Sequence, residues 1–226
     1  LGSEKTKKTY MSQGAVEPVF GLTIKSMKPL AKRLKKLDDT QQIAYDLYST
    51  GNYDLMYLAG MIVDPTLMSK EKYNKWIKEA YFYMISDYIV AVCLCEAALA
   101  EEVADEWMIS GEDLIMSAAY STYSWMLSHL EDKAFDKGKL DKMLNTVKIN
   151  IEAAPNRTKY SMYYFVVNLG ISYPPLSEKA LLVAKVVGGV TIINFDGSSR
   201  EFSAEFDIRK QLDKGRLGFK RKNVRC

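Results

Sequence analysis

Apolar residues recur at intervals of three and four along most of the chain up to about residue 188, the period of helices with one buried face. Met27, Leu30, Ala31 and Leu34 line one face of a first helix, and Pro29 is expected near its start, where proline is tolerated. Ile43, Ala44 and Leu47 predict a second helix, closed by Thr50-Gly51. Leu55, Leu58, Ala59 and Ile62 predict a third, ended by Asp64-Pro65. Ser69 reads as the N-cap of a fourth helix running to about Glu79. From Tyr81 to Ala100 the chain is nearly all apolar, which reads as one buried central helix or two in succession. Ser110-Gly111 opens a helix over 112–128. Further helices follow at about 136–152, 157–170 and 176–187, punctuated by Pro155, Gly170 and Pro174-Pro175.

After Gly188-Gly189 the period changes. Val190 to Phe195 alternates like a strand, Asp196-Gly197 is a turn signal, and Arg200 to Phe202 returns as a short second strand. A last helix is expected from about Ser203 to Leu212, followed by a basic tail from Lys214 to Cys226. Helices joined by short loops, with no long strand pattern, give an all-α fold. Asp54-Leu55 and Asp113-Leu114 both open helices with small residues about five positions later, at Ala59-Gly60 and Ala118-Ala119. This weak self-similarity fits stacked helix pairs, a HEAT- or armadillo-like solenoid (an α-α superhelix). A globular helical bundle is the alternative. The division expected is a helical-repeat domain over 1–188 and a hairpin, short helix and basic tail over 189–226, packed on that domain or extending from it.

Composition narrows the class. Hydrophobic residues make up 48% and charged residues 26% of 226 positions, so a sizeable core is available. Thirteen Gly and six Pro are too few for a sandwich of many short strands. Three cysteines leave one unpaired in any disulfide framework, and Cys93 and Cys95 point to different faces of a helix. With His129 the lone histidine, a zinc site has too few soft ligands. These features predict a reduced cytoplasmic protein without metal or cofactor. The longest apolar run, Tyr88 to Cys95, stops at Glu96, short of a membrane span. The first ten residues have a charged start with no apolar run behind it, which argues against a signal peptide, and the lack of an initiator Met implies missing leading residues.

Charge is distributed unevenly. Residues 1–36 carry nine Lys/Arg against two Glu, and residues 214–226 carry six against none, so the middle is acidic while the net charge is only +3. Basic ends on an acidic body suit an anion-binding surface, with nucleic acid the commonest large anion. The plainer alternative is a pair of solvated, lysine-rich termini.

Several segments in order resemble one family. Val19-Phe20-Gly21-Leu22 precedes a basic helix ending in Leu30-Ala31-Lys32. Tyr53 to Ala59 is followed by Asp64-Pro65, and Pro155-Asn156-Arg157 precedes a helix ending at Gly170. Together these are similar to the DNA alkylation repair family of HEAT-like-repeat glycosylases, over about residues 17–188. The hairpin and tail look like an addition carried by one branch. The resemblance implies a curved stack of helix pairs whose concave basic face holds alkylated duplex DNA. It also implies a hydrolase that releases cationic N3- and N7-alkylpurines, acting without extruding the base into a pocket. Family members use a Trp-x-x-x-Asp helix, a second Trp on a later helix and an arginine between them.

The chemistry can be stated independently. A cationic alkylpurine departs without a general acid, and the sugar gathers positive charge that one fixed carboxylate can stabilise. Aromatic faces can support the cationic lesion. The resemblance places these catalytic roles on Asp87, on Tyr83 four residues earlier, and on Tyr164 or, one register away, Tyr163. Asp87 sits in an apolar stretch where a carboxylate needs a reason, and capping the next helix or bonding within a helix junction are the plainer ones. Both family tryptophans are tyrosines here. The arginine falls near Met116 or Ser117, and Trp76, Trp107 and Trp125 do not match the pattern. DNA-phosphate contacts are expected from Lys28, Lys32, Arg33, Lys35 and Lys36, from Arg157, and from Lys220, Arg221 and Lys222.

Other motifs add little. Gly188-Gly189 lacks the Lys-Ser/Thr of a phosphate loop, and there is no GxSxG. His129 reads as a helix-end cap. Glu101, Glu102, Asp105 and Glu106 read as a solvated helix end without calcium-loop spacing. The expectation is thus DNA binding in alkylation repair, with a monomer favoured and the oligomeric state otherwise open. A non-catalytic DNA binder and a helical-repeat interaction scaffold are the alternatives.

Overall fold

The computed structural model describes residues 2–225. The helices come in consecutive pairs. An outer row holds α3 (Thr40–Ser49), α5 (Lys70–Glu79), α8 (Ala100–Met108), α10 (Lys137–Asn150) and α12 (Ser177–Val187). An inner row holds α4 (Tyr53–Ile62), the segment α6 (Tyr83–Ile85) with α7 (Ala91–Leu94), α9 (Asp113–His129), α11 (Asn156–Ser172) and α13 (Ala204–Leu212). Each outer helix packs on the inner row, and inner helices pack on one another in sequence. The all-α, stacked-pair architecture expected from the sequence is present, with α2 (Ile24–Leu34) closing one end against α4. Among the described residues, no helix is long and apolar enough to cross a membrane.

Three local features depart from the sequence reading. Residues 4–12 form a further helix, α1 (Glu4–Ser12), capped by Ser3, whose Oγ accepts from the Thr6 amide. It has no apolar stripe to betray it. Its anchor is Tyr10, whose ring meets Tyr53 edge-on and whose hydroxyl donates to the Leu22 carbonyl at 2.7 Å. Pro29 lies in the middle of α2 rather than near its start. The apolar run after Tyr81 is broken differently from either expectation: α6 and α7 are joined by a π turn, Ser86–Val90, and α8 follows after a bend.

The two aspartates of the weak repeat have one job in common. Asp54, fully buried, accepts the backbone amides of Phe20, Gly21 and Leu22 at 2.5, 3.1 and 2.7 Å. Asp113 accepts those of Arg157 and Thr158 at 3.0 and 2.7 Å, which satisfies free donors at the start of α11. Each carboxylate thus ties the start of one inner helix to a segment distant in sequence. The small residues serve the packing. A Cβ on Gly60 would meet Ile89 of the π turn at 2.7 Å, so α4 approaches closely only because none is there. Asp54→Ala should remove the acceptor of three backbone amides and lower the unfolding free energy by about 2–4 kcal/mol, read from urea denaturation.

The C-terminal segment lies on the helical stack. Strands β1 (Gly189–Ile193) and β2 (Ser199–Ser203) form an antiparallel hairpin with Val190 opposite Phe202, and α13 packs on α11 and α12. Asn156 at the start of α11 clamps β1 by two 2.8 Å hydrogen bonds to the main chain of Ile193. Beyond α13 the tail runs across the C-terminal ends of three inner helices. The Gly218 amide donates to Ile171 in α11 at 2.8 Å. The Arg221 amide and Lys220 Nζ donate to Ser128 and Leu127 in α9 at 2.6 and 3.0 Å. Arg225 Nη1 donates to Gly60 and Val63 at the end of α4 at 3.2 and 2.7 Å, and its Nε meets Glu96 at 2.7 Å. These are the carbonyls a helix end leaves unpaired, where cations are also favoured. Cys226 lies outside the described residues.

The acidic cluster is largely solvent-exposed along α8, as read from the sequence, and it also carries ion pairs. Lys70 from α5 pairs with Glu102 and Glu106, and Lys139 from α10 pairs with Glu101 and Asp105, so the cluster fastens α8 to both neighbours.

Candidate functional site

Half-buried aromatics from four segments of the inner row line adjoining recesses: Tyr57 of α4, Tyr88 of the π turn, Trp125 of α9, and Tyr160 and Tyr164 of α11. Asp87 lines one of these recesses, on the first half of the π turn. Single wide turns of this kind inside helices often mark functional positions, because they displace one side chain from the regular ladder. Here the Asp87 carbonyl takes a hydrogen bond at 2.9 Å from the Trp125 indole, a partner outside its own helix. Asp87 caps no helix; its carboxylate has partners from three elements.

The Asp87 side chain is 3% exposed, and both oxygens are occupied. Ser86 Oγ donates to Oδ1 at 3.0 Å. Ser117 Oγ of α9 lies within 2.9–3.0 Å of both oxygens, and Arg157 Nε of α11 donates to Oδ2 at 2.6 Å. Burial pushes the Asp87 carboxyl above its ordinary range, and the Arg157 charge and the hydroxyl donors pull part of that back. Burial pulls the other way on Arg157, and the facing carboxylate more than offsets it. The guanidinium also lies over two aromatic rings. Its centre lies 4.3 Å from the Tyr83 ring centroid and 4.2 Å from that of Tyr160, and Tyr164 stacks on Tyr160 with rings 8° apart. Such contact of an arginine with ring faces is attractive in itself.

The sequence-derived site residues therefore fall into groups. Asp87 and Tyr164 line one recess, Tyr83 reaches Asp87 through Arg157, and Tyr163 does not join them: its hydroxyl bonds Asp207 of α13. Arg157, expected at a phosphate, is instead the partner of Asp87. Of the two positions near which the resemblance expects an arginine, Met116 and Ser117, the second bonds the same carboxylate, and the guanidinium that meets it comes from α11 instead of α9. Trp125, which matches no part of the family pattern, is part of the site. Tyr88 and Tyr160 escape sequence reasoning, because a tyrosine at helical spacing carries no local sign of what it faces.

Lys28, Lys32, Arg33, Lys35 and Lys36 are all exposed and form no ion pair among the described residues. Burial and the nearby Arg225 charge hold the Lys35 ammonium below its ordinary range, which places the basic end of α2 beside the tail. The tail cations divide. Lys220 is tied to Asp132 at 3.0 Å and to the Leu127 carbonyl, and so is a structural anchor. Arg221 lies over the Trp125 ring at 5.7 Å, and Lys222 is exposed.

Comparison with known proteins adds the family. The sequence pattern described as "DNA alkylation repair enzyme" matches residues 2–186. The chain belongs to the DNA alkylation repair enzyme family. Uncharacterized proteins of Listeria innocua and Listeria monocytogenes are each 28% identical to this family member over 197 residues, covering 85% of this chain and 84% of theirs. A solved structure superposes with a TM-score of 0.95 at 51% identity, covering all of this chain and 95% of its own. That protein belongs to a family related to the HEAT-like repeat DNA glycosylases, with affinity for branched DNA structures. The HEAT-like repeat fold of this DNA alkylation repair family member is thereby established.

Proposed function

We propose that this protein binds DNA in the context of repair, prefers branched structures, and uses the Asp87–Arg157 pair for recognition rather than for bond cleavage. The observation that carries this reading is the closure of the Asp87 carboxylate. A group that stabilises a forming sugar cation needs an oxygen free to face it. Both Asp87 oxygens are already bonded, and the side chain is almost wholly buried. Asp87 is then a positioning residue that orients Arg157. The likeness to a protein with affinity for branched DNA supports the choice of ligand. Lys28, Lys32, Arg33, Lys35 and Lys36, with Arg221 and Lys222, supply phosphate contacts.

A second reading is alkylpurine release, with Asp87 as electrostatic stabiliser and Tyr83 and Tyr164 as aromatic supports. It is favoured by the convergence of carboxylate, guanidinium and rings on one spot. Incubation with DNA carrying 7-methylguanine and 3-methyladenine separates the two. The first reading expects no released base, and tighter binding of a four-way junction than of duplex at equal salt. Should base be released, and Asp87→Asn slow release by about two to three decades, the loss expected for one preorganised electrostatic group, the second reading replaces the first.

A further inference from the structure

A cavity of about 800 Å3, larger than the recess at Asp87, opens on the other side of Arg157. Its walls are Gln13 and Gly14 after α1, the segment from Tyr81 to Met84, the start of α11, and the face of the hairpin from Ile192 to Asp196. We propose that this cavity receives a nucleobase that is unstacked at a DNA branch point. The proposal rests on the branched-DNA reading for the source of the base, and on the cavity alone for its chemistry.

The volume is within the range of sites that enclose small ligands. The lining is unusually aromatic: Tyr81, Phe82, Tyr83, Tyr160, Phe195 and Phe202. Rings of this kind hold bases of any sequence through their faces. Phe195, beside the hairpin turn, is 72% exposed and stacks on no other ring among the described residues. Gly14 lets the two walls meet: at φ 111° its backbone is in the left-handed region, and a Cβ there would touch both Phe82 and Phe195 at 3.4 Å.

Polar groups that read a base edge are also present. Asp87 takes the Arg157 Nε–H, and the two terminal amino groups of Arg157 form no hydrogen bond among the described residues. The half-buried Gln13 amide forms none either. A guanidinium pairs with two base acceptors, and an amide with a donor and an acceptor. The one carboxylate among the cavity's lining residues, Asp196, accepts the Ser198 amide and hydroxyl through Oδ1. A base inside duplex must first lose its pairing and stacking, whereas one at a branch has already lost part of both. The cavity would therefore favour branched DNA over duplex.

The test uses the full chain and a three-way junction with unpaired bases at the branch. With 2-aminopurine at an unpaired position, binding should change its fluorescence saturably. Replacing the unpaired residues by abasic ones should weaken binding about tenfold, the loss expected for one base–aromatic stack. Ile193→Trp, which fills the cavity from an exposed strand position, and Gln13→Ala should each weaken junction binding and leave duplex binding unchanged. Unaltered fluorescence at saturation, or equal affinity for the abasic junction, would overturn the proposal. If the wild type shows no preference for junctions, the branched-DNA reading fails by itself. A single-stranded oligonucleotide containing 2-aminopurine then decides the cavity: quenching lost in Ile193→Trp supports it, and no quenching overturns it.

Discussion

Arg157→Ala is expected to lower the unfolding free energy by about 3–5 kcal/mol, because it leaves the Asp87 carboxylate buried without its countercharge. The reverse change should cost less. Asp87→Asn keeps the side-chain shape and its serine partners, while the guanidinium, with a side chain 15% exposed, can take water from the adjoining cavity. The asymmetry is itself informative, since a surface ion pair would give small and similar losses from either side. The pH dependence of the Arg157→Ala variant has a definite sign. Without the guanidinium, burial holds the folded carboxyl above its unfolded value. The penalty is then absent below the unfolded value and complete above the folded one. Urea denaturation across pH should show the variant approaching wild type as pH falls toward the ordinary carboxylate range. A gap that widens on acidification would mean that Asp87 is not the stranded group.

Neutralising the basic end of α2 is expected to have the largest effect on DNA binding. Lys28, Lys32, Arg33 and Lys36 changed together to Gln should flatten the log–log dependence of affinity on salt by roughly 0.9 for each phosphate that is no longer neutralised. The helix itself should persist. Its N-cap, Thr23, stays in place with its bond to the Ser26 amide, and the cations near its C-terminus are worth only about 0.3–1 kcal/mol each. Titrations of duplex and junction at several salt concentrations would measure the slope. An unchanged slope would remove α2 from the phosphate-binding surface and leave Arg221 and Lys222 as the remaining candidates.

The helical stack is legible in the sequence because burial of one face leaves its period there. Met27, Ala31, Ala44 and Leu58 all turn out buried, as their spacing requires. Asp87 is legible for a similar reason: a carboxylate among Ile85, Ile89 and Val90 needs a partner. Which partner is not legible. Arg157 lies 70 residues away, and a lone arginine beside Asn156 looks the same whether it meets a phosphate or a buried acid. The resemblance places an arginine near Ser117, and the structure has a hydroxyl there and a guanidinium across from it. The π turn has no sequence signature, since its extra residue is accommodated by packing of Ile89 against Gly60 and of Asp87 against Trp125. Lys220 is misread from sequence because a tail cation seated on helix-end carbonyls has the same composition as one in solvent.

The tail also gives the stack a mechanical character. Helix pairs joined only to their neighbours form a spring, which lengthens by small rotations at every interface. Here one edge is tied: the bonds to Ile171, Ser128 and Val63 run along the ends of α11, α9 and α4. Stretching that edge means breaking several of them together, while at the opposite edge the ties join neighbours pair by pair: Asp113 of α9 to the start of α11, and Asn156 of α11 to the hairpin. The stack therefore opens interface by interface along one rim and only as a whole along the other.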